Sequence, residues 1–123
     1  MFGQIVTIAV PVVTSGGAGV ATGQADSQPL TGFLLDVFLS FGAAPATTDT
    51  TISYTLQGGN ICVLTNVNTN QVVAPRRQNV DNAGALIAGS YDYFPLNGPV
   101  RVALAQADAL SPALTAFVRV LVP

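Results

Sequence analysis

Residues 4–13 alternate with a period of two, with Val6, Ile8, Val10 and Val12 on one face and Ile5, Thr7, Ala9 and Val13 on the other. That is the repeat of a β-strand. Pro11 has no amide to give to a ladder, so the end of this strand belongs at a sheet edge or a bulge. The glycine-rich stretch 15–19 turns the chain, and a short segment at 20–22 returns from it. Residues 32–41 form the most hydrophobic strand, with Phe33, Leu35, Val37, Leu39 and Phe41 on one side and Leu34, Asp36, Phe38 and Ser40 on the other. A run this apolar predicts a central strand, covered on both faces for part of its length. Residues 50–56 alternate again, with Ile52, Tyr54 and Leu56 expected inward, and Gln57-Gly58-Gly59-Asn60 signals a hairpin into 61–65.

An Asn-rich turn at 66–70 leads to a short strand at 71–74, after which residues 75–89 lose any sustained period. This segment, with Arg76, Arg77, Asn79, Asp81, Asn82 and Gly84, reads as the longest irregular loop, and long loops in compact domains tend to carry function. Residues 91–96 are aromatic and extended, and Asn97-Gly98 marks a turn. Residues 100–105 point Val100, Val102 and Leu104 inward, and 114–122 alternate Ala116, Val118, Val120 and Val122 with Thr115, Phe117, Arg119 and Leu121. The two Val-Arg-Val triplets at 100–102 and 118–120 read as facing strands of one hairpin. About eight short strands, Gly, Pro and Asn turns, no amphipathic helix and no fixed repeat predict a single all-β domain, an antiparallel β-sandwich of jelly-roll or Greek-key type. The 16 Val, 5 Ile and 12 Thr fit strands throughout.

Composition narrows the chemistry. The chain has 123 residues, enough for one domain with a sizeable core. Only 8% of them are charged, against about 25% in an ordinary soluble domain. There is no Lys, Glu, His or Trp, so histidine catalysis, histidine metal ligation, lysine Schiff bases and paired glutamates are all absent. An enzyme is disfavoured, and no cofactor is expected. The six aspartates are scattered singly and suit turns. Asp36 is the exception: inside the most apolar strand it should either face solvent or meet an arginine, and Arg101 or Arg119 is the expected partner. Asn79 to Asn82 with Asp81 lacks the spacing of a calcium loop, so no metal is expected. Cys62, alone in an apolar run, reads as an inert buried thiol.

No apolar run approaches the roughly 20 residues of a membrane span, and the first residues carry no basic, small-residue pattern of a leader. Arg76-Arg77 is the only basic doublet on an acidic chain, which disfavours nucleic acid. The doublet is either a solvated loop or a docking contact for an acidic neighbour. Tyr91, Tyr93 and Phe94 either pack one end of the sandwich or stack on a sugar. Thr, Ser, Asn and Gln must supply most of the polar surface. Few charges mean little repulsion between copies and a low desolvation cost on association, as expected of an exterior buried in an assembly.

The strand opening at Gln4 without a leader, Pro75-Arg76 after a short strand, the Ala83-Gly84 loop, the Tyr93-Phe94-Pro95-Leu96-Asn97-Gly98 segment and the closing Val-Arg-Val strands resemble the small β-sandwich structural proteins of tailed bacteriophages. The resemblance is to the capsid decoration, or cement, proteins encoded among head genes. It implies a virion protein on the capsid exterior, made in the host cytoplasm, that forms a homo-oligomer, typically a trimer, and clamps the major capsid protein. It implies no catalytic residue. Arg76, Arg77, Tyr91, Tyr93 and Phe94 are then candidate partner contacts, with the 75–89 loop and the N-terminal strand as contact surfaces. Low charge argues for backbone and apolar contacts rather than an ionic clamp. Alternatives are a neck, fibre or other minor virion component, or a carbohydrate-binding or adhesin module that exposes its three aromatics together.

Overall fold

A computed structural model describes residues 3–56 and 59–123. The strands are β1 (Gln4–Val12), β2 (Ala21–Asp26), β3 (Leu30–Phe41), β4 (Asp49–Tyr54), β5 (Asn60–Leu64), β6 (Gln71–Val73), β7 (Arg76–Val80), β8 (Leu86–Tyr93), β9 (Pro95–Gly98), β10 (Val100–Ala107) and β11 (Leu114–Val122). All pairings are antiparallel. One sheet runs β1-β11-β3-β6 with β9 also on β3, a second runs β2-β10-β4-β5, and β7-β8 stand apart as a two-stranded ribbon.

The order resolves into a jelly roll. β6 pairs with Val37–Leu39 and β9 with Leu30–Phe33, both on the side of β3 away from β11, so they are one strand interrupted by the ribbon. With those two counted as one and the ribbon set aside, eight strands remain. In chain order the first then pairs with the last, the second with the seventh, the third with the sixth and the fourth with the fifth. A long hairpin of nested pairs wound into two facing sheets is the jelly-roll topology. The all-β sandwich read from the sequence is therefore observed, with three more strands than expected because one strand is split and an extra hairpin is inserted.

The inward faces of the two sheets meet in one core. Val37, Leu39, Leu114, Val118 and Val120 come from the first sheet, and Ile52, Val100 and Val102 from the second, all fully buried. The alternation predicted for β10 and β11 holds here, and β1 is an edge strand, as Pro11 requires. β4 ends at Tyr54, so Leu56 lies past the strand and is exposed rather than inward. The predicted turn at Gln57-Gly58-Gly59-Asn60 lies partly outside the described residues, but the strands on either side of it pair, Ile52 opposite Cys62.

Three further expectations change. The Val-Arg-Val triplets of β10 and β11 do not face one another but lie in different sheets. Residues 75–89 are not an irregular loop but most of a hairpin, β7 and β8. The strict alternation of 32–41 breaks at a bulge, because Arg119 faces Asp36 while the next residue, Val120, faces Leu34. The extra residue, Leu35, switches parity. Leu34 is buried with Val37 and Leu39, whereas Phe33 and Phe38 point to the outside of the sheet.

Candidate interaction surface

The interruption of the β6/β9 strand and the bulge in β3 coincide in space. Between the stretches of β3 bonded to β6 and to β9, the Leu34 amide donates to the Phe94 carbonyl at 3.0 Å. The Leu35 carbonyl accepts from Arg76 Nη1 at 3.0 Å. The same guanidinium also bonds the Pro75 carbonyl and lies 4.2 Å from the centroid of the Tyr93 ring, a cation–π contact. Tyr93 in turn tilts against Phe33, centroids 6.4 Å apart. Phe94 points the other way, toward Tyr54 (6.2 Å) at the rim of the core, where the Tyr54 hydroxyl donates to the Pro95 carbonyl. Desolvation there pushes the Tyr54 phenol above its ordinary value. Arg76, Tyr93 and Phe94 thus root the β7–β8 hairpin on the sandwich.

Beyond its root the hairpin is an amphipathic arm. Opposed residues of an antiparallel pair share a face, so the register Arg76↔Tyr93, Gln78↔Tyr91 sets Arg76, Gln78, Tyr91 and Tyr93 on one side, with Val80 opposite Leu86 beyond a register shift. The other side carries Arg77, Asn79, Ser90 and Asp92. There Asn79 Nδ2 donates to Ser90 Oγ and Asp92 Oδ2, both at 3.1 Å. The tip is held by Asp81, whose Oδ1 accepts from the amides of Ala83 (2.8 Å) and Ala85 (3.0 Å). Gly84 there takes φ +84°, a conformation that favours glycine. A shallow open cleft of about 370 Å³ runs along Arg77, Gln78, Asn79 and Val80.

The outer face of the five-stranded sheet joins this side through the Phe33–Tyr93 contact. Phe33 lies opposite Leu121, which lies opposite Ile5. Phe38 pairs across strands with Phe117, rings 6.0 Å apart and nearly parallel, and Val72 lies opposite Phe38. Between the two aromatic pairs sits Asp36 with Arg119, joined by Nε to Oδ1 at 2.7 Å and by a second bond from Nη2 to Oδ2.

The other aspartates are also engaged locally. Asp26 pairs with Arg101 at 2.8 Å, Asp49 accepts the Asn66 amide at 3.0 Å, and Asp108 accepts the Gly19 amide at 2.8 Å. Hydrogen bonds from the arginines hold the Asp36 and Asp26 carboxyls below the usual carboxylate range and push both guanidinium groups up. Asp36 therefore pairs with Arg119, one of the two partners read from sequence. Burial pushes the half-buried Cys62 thiol up, which disfavours the reactive thiolate. Among the described residues no three His, Cys, Asp or Glu side chains gather where a metal would need them. Arg77, with no hydrogen bond or ion pair to any described residue, is the basic side chain presented by the arm.

The five residues singled out in the sequence lie in and beside the arm, but in different roles. Arg76, Tyr93 and Phe94 meet at its root, while Tyr91 and Arg77 lie farther out on opposite faces. The three aromatics form no common platform, since Phe94 turns inward and Arg76 covers Tyr93. Phe33, Phe38, Phe117, Val72, Val80 and Leu86 were not singled out in the sequence and prove to be the apolar surface. Compared with known proteins, the chain matches no family model, no curated protein and no solved structure.

Proposed function

We propose that the chain is a non-enzymatic structural protein of a virion, a capsid decoration or cement subunit that binds the major capsid protein on the exterior of a phage head and associates with its own copies. The observation that carries this reading is a jelly roll whose carboxylates are all tied into local structure and whose exposed feature is an amphipathic arm beside an apolar sheet face. Jelly rolls serve in viral shells, in lectins and in cupins, and a fold alone does not choose among them. A cupin centre built on histidines has none to use here. The sugar-stacking alternative needs Tyr91, Tyr93 and Phe94 exposed together, and they are not. A neck, fibre or other minor virion role draws on the same features and differs only in its partner.

The mechanism is the summation of weak contacts. Each copy contributes a small, nearly uncharged surface, and binding to the assembled shell alone stabilises the shell by mass action. Cosedimentation with purified heads lacking the protein is the test. Saturable binding, with heads that then withstand higher temperature, is expected. Absence of binding at concentrations far above that of the capsid sites would overturn the reading. A glycan array should stay blank, and a signal abolished by Tyr93→Ala would favour the lectin alternative instead.

A further inference from the structure

We propose that β1 pairs edge to edge with β1 of a second copy of this chain, antiparallel about a two-fold axis through Thr7, so that the five-stranded sheets of the two copies become one. The proposal rests on the assembly reading above and deepens it by naming the strand that joins copies. Phe41 lies opposite Leu114, and beside that pair the Gly42 amide donates to the Ala113 carbonyl at 2.8 Å. The bonds between β3 and β11 therefore flank Leu114, whose own amide and carbonyl turn toward β1. Leu114 lies opposite Val12, so Val12, Val10, Ile8 and Val6 bond β11, and the alternate residues Pro11, Ala9, Thr7 and Ile5 turn their main-chain groups outward. Pro11, with no amide to donate, falls in the outward set, where a proline is tolerated.

Among the described residues every other sheet edge is guarded. In β2, Ser15 bonds both main-chain groups of Thr22 at 3.0 Å, and Asp26 adds a charge. β5 has five residues and a register shift against β4. β6 and β9 have three and four residues and are separated by the arm. β7 and β8 carry Arg76, Arg77 and Asp92 and a register shift of their own. Short strands, charges and bulges are the means by which sheet edges avoid pairing with other copies of the same chain. β1 has none of them: it runs nine residues against β11 without a register shift, and from Gln4 to Val10 it has no charge, proline or glycine. Because such guards act against a chain's own copies, the edge that lacks one is where a copy fits. The strand is also complementary to itself. An axis through Thr7, the middle of the open run, sets Thr7 against Thr7 and Ile5 against Ala9 in both directions, for about six main-chain hydrogen bonds. Between these, Val6 falls opposite Ile8 of the copy in the closely spaced pairs, where side chains approach most nearly. Both are half-buried, and the pairing covers them. A contact over residues 4–10, about 24 Å long, has less area than a standard interface. Main-chain bonds carry it, and it forms at the high local concentration of copies held side by side.

Sedimentation velocity of the full chain up to about 1 mM should show a reversible monomer–dimer equilibrium. Ile5→Lys combined with Ala9→Lys sets like charges opposite one another and should give monomer at every concentration, as should Ile5→Asp combined with Ala9→Asp. Mixing the two variants should restore the dimer. Both side chains are exposed, so each variant should keep the wild-type circular dichroism spectrum. The axis is tested independently of these charges by Thr7→Cys in a Cys62→Ala background, which should form its own disulfide roughly tenfold or more faster than Val20→Cys, on an exposed turn. A wild-type monomer throughout, a dimer that survives the lysine pair, a mixture that stays monomeric, or a Thr7→Cys disulfide no faster than the control would each overturn the pairing, as would open-ended fibrils in place of a dimer. These measurements use the protein alone. Dimers that fail to bind heads would retire the capsid reading and leave the pairing standing, and wild-type monomers that bind heads would do the reverse.

Discussion

Gly32 is where a single methyl group should be most disruptive outside the core. It lies in β3 opposite Leu96, with φ +137°, and a Cβ there would run into the main-chain carbonyl of Leu121 in β11, with Val120 Cγ1 at 3.2 Å. Two costs combine in Gly32→Ala. The backbone region is one that L-residues occupy at about 1–3 kcal/mol, and displacing a packed neighbouring strand adds about 1–3 kcal/mol. The sum, about 2–6 kcal/mol, corresponds to a fall in melting temperature of roughly 8–25 °C for a domain of this size. Gly84 supplies the control. Its φ is +84°, but nothing lies within 4 Å of a Cβ there, so Gly84→Ala carries only the backbone cost, about 1 kcal/mol. Urea unfolding followed by far-UV circular dichroism measures both. A Gly32→Ala variant within about 0.5 kcal/mol of wild type, or a Gly84→Ala variant equally unstable, would refute the close approach of β3 to β11.

Other outcomes follow from the packing and the ion pairs. Leu39→Ala removes a fully buried side chain from between the sheets and should cost about 2–5 kcal/mol in the same unfolding assay. Asp36, its carboxyl held low by Arg119, contributes stability that is present above the unfolded-state pKa near 4 and lost as pH falls through the lower folded value. Stability should therefore decline on acidification below about pH 4, and Asp36→Asn should flatten that decline; an unchanged acid limb would contradict the pairing. Arg76→Ala should speed hydrogen exchange in the arm, because Leu35 loses its partner and Tyr93 its cation. Arg77→Ala should leave that exchange unchanged, and equal effects of the two would contradict the root geometry.

The parts of the fold that could be read in the sequence are those where burial imprints a period. β10 and β11 each lie on the core with one face, so Val100, Val102, Val118 and Val120 fell at every second position and gave away both strands. β3 was located but misread in detail. A bulge consumes one residue, and the partners that reveal it, Arg119 and Val120, lie more than eighty positions farther along the chain. The β7–β8 arm left no such imprint, because neither of its faces meets the core; its apolar residues, Val80, Leu86, Tyr91 and Tyr93, have a turn and an irregular register between them. The choice of jelly roll over another Greek key rests on pairings such as Gln4 with Val122, which no local pattern encodes. In the candidate surface, the arginine doublet and the aromatics stood out by rarity, whereas Phe38 and Phe117 looked like ordinary strand residues until β3 and β11 placed them side by side.

The proposal that this protein sits on the outside of a capsid is tested most directly by cryo-electron microscopy of phage heads to which it has been added. Jelly-roll density is expected at symmetry-related positions on the outer surface of the head, in contact with the major capsid protein. Heads without such density, or density confined to the tail or the interior of the shell, would contradict it.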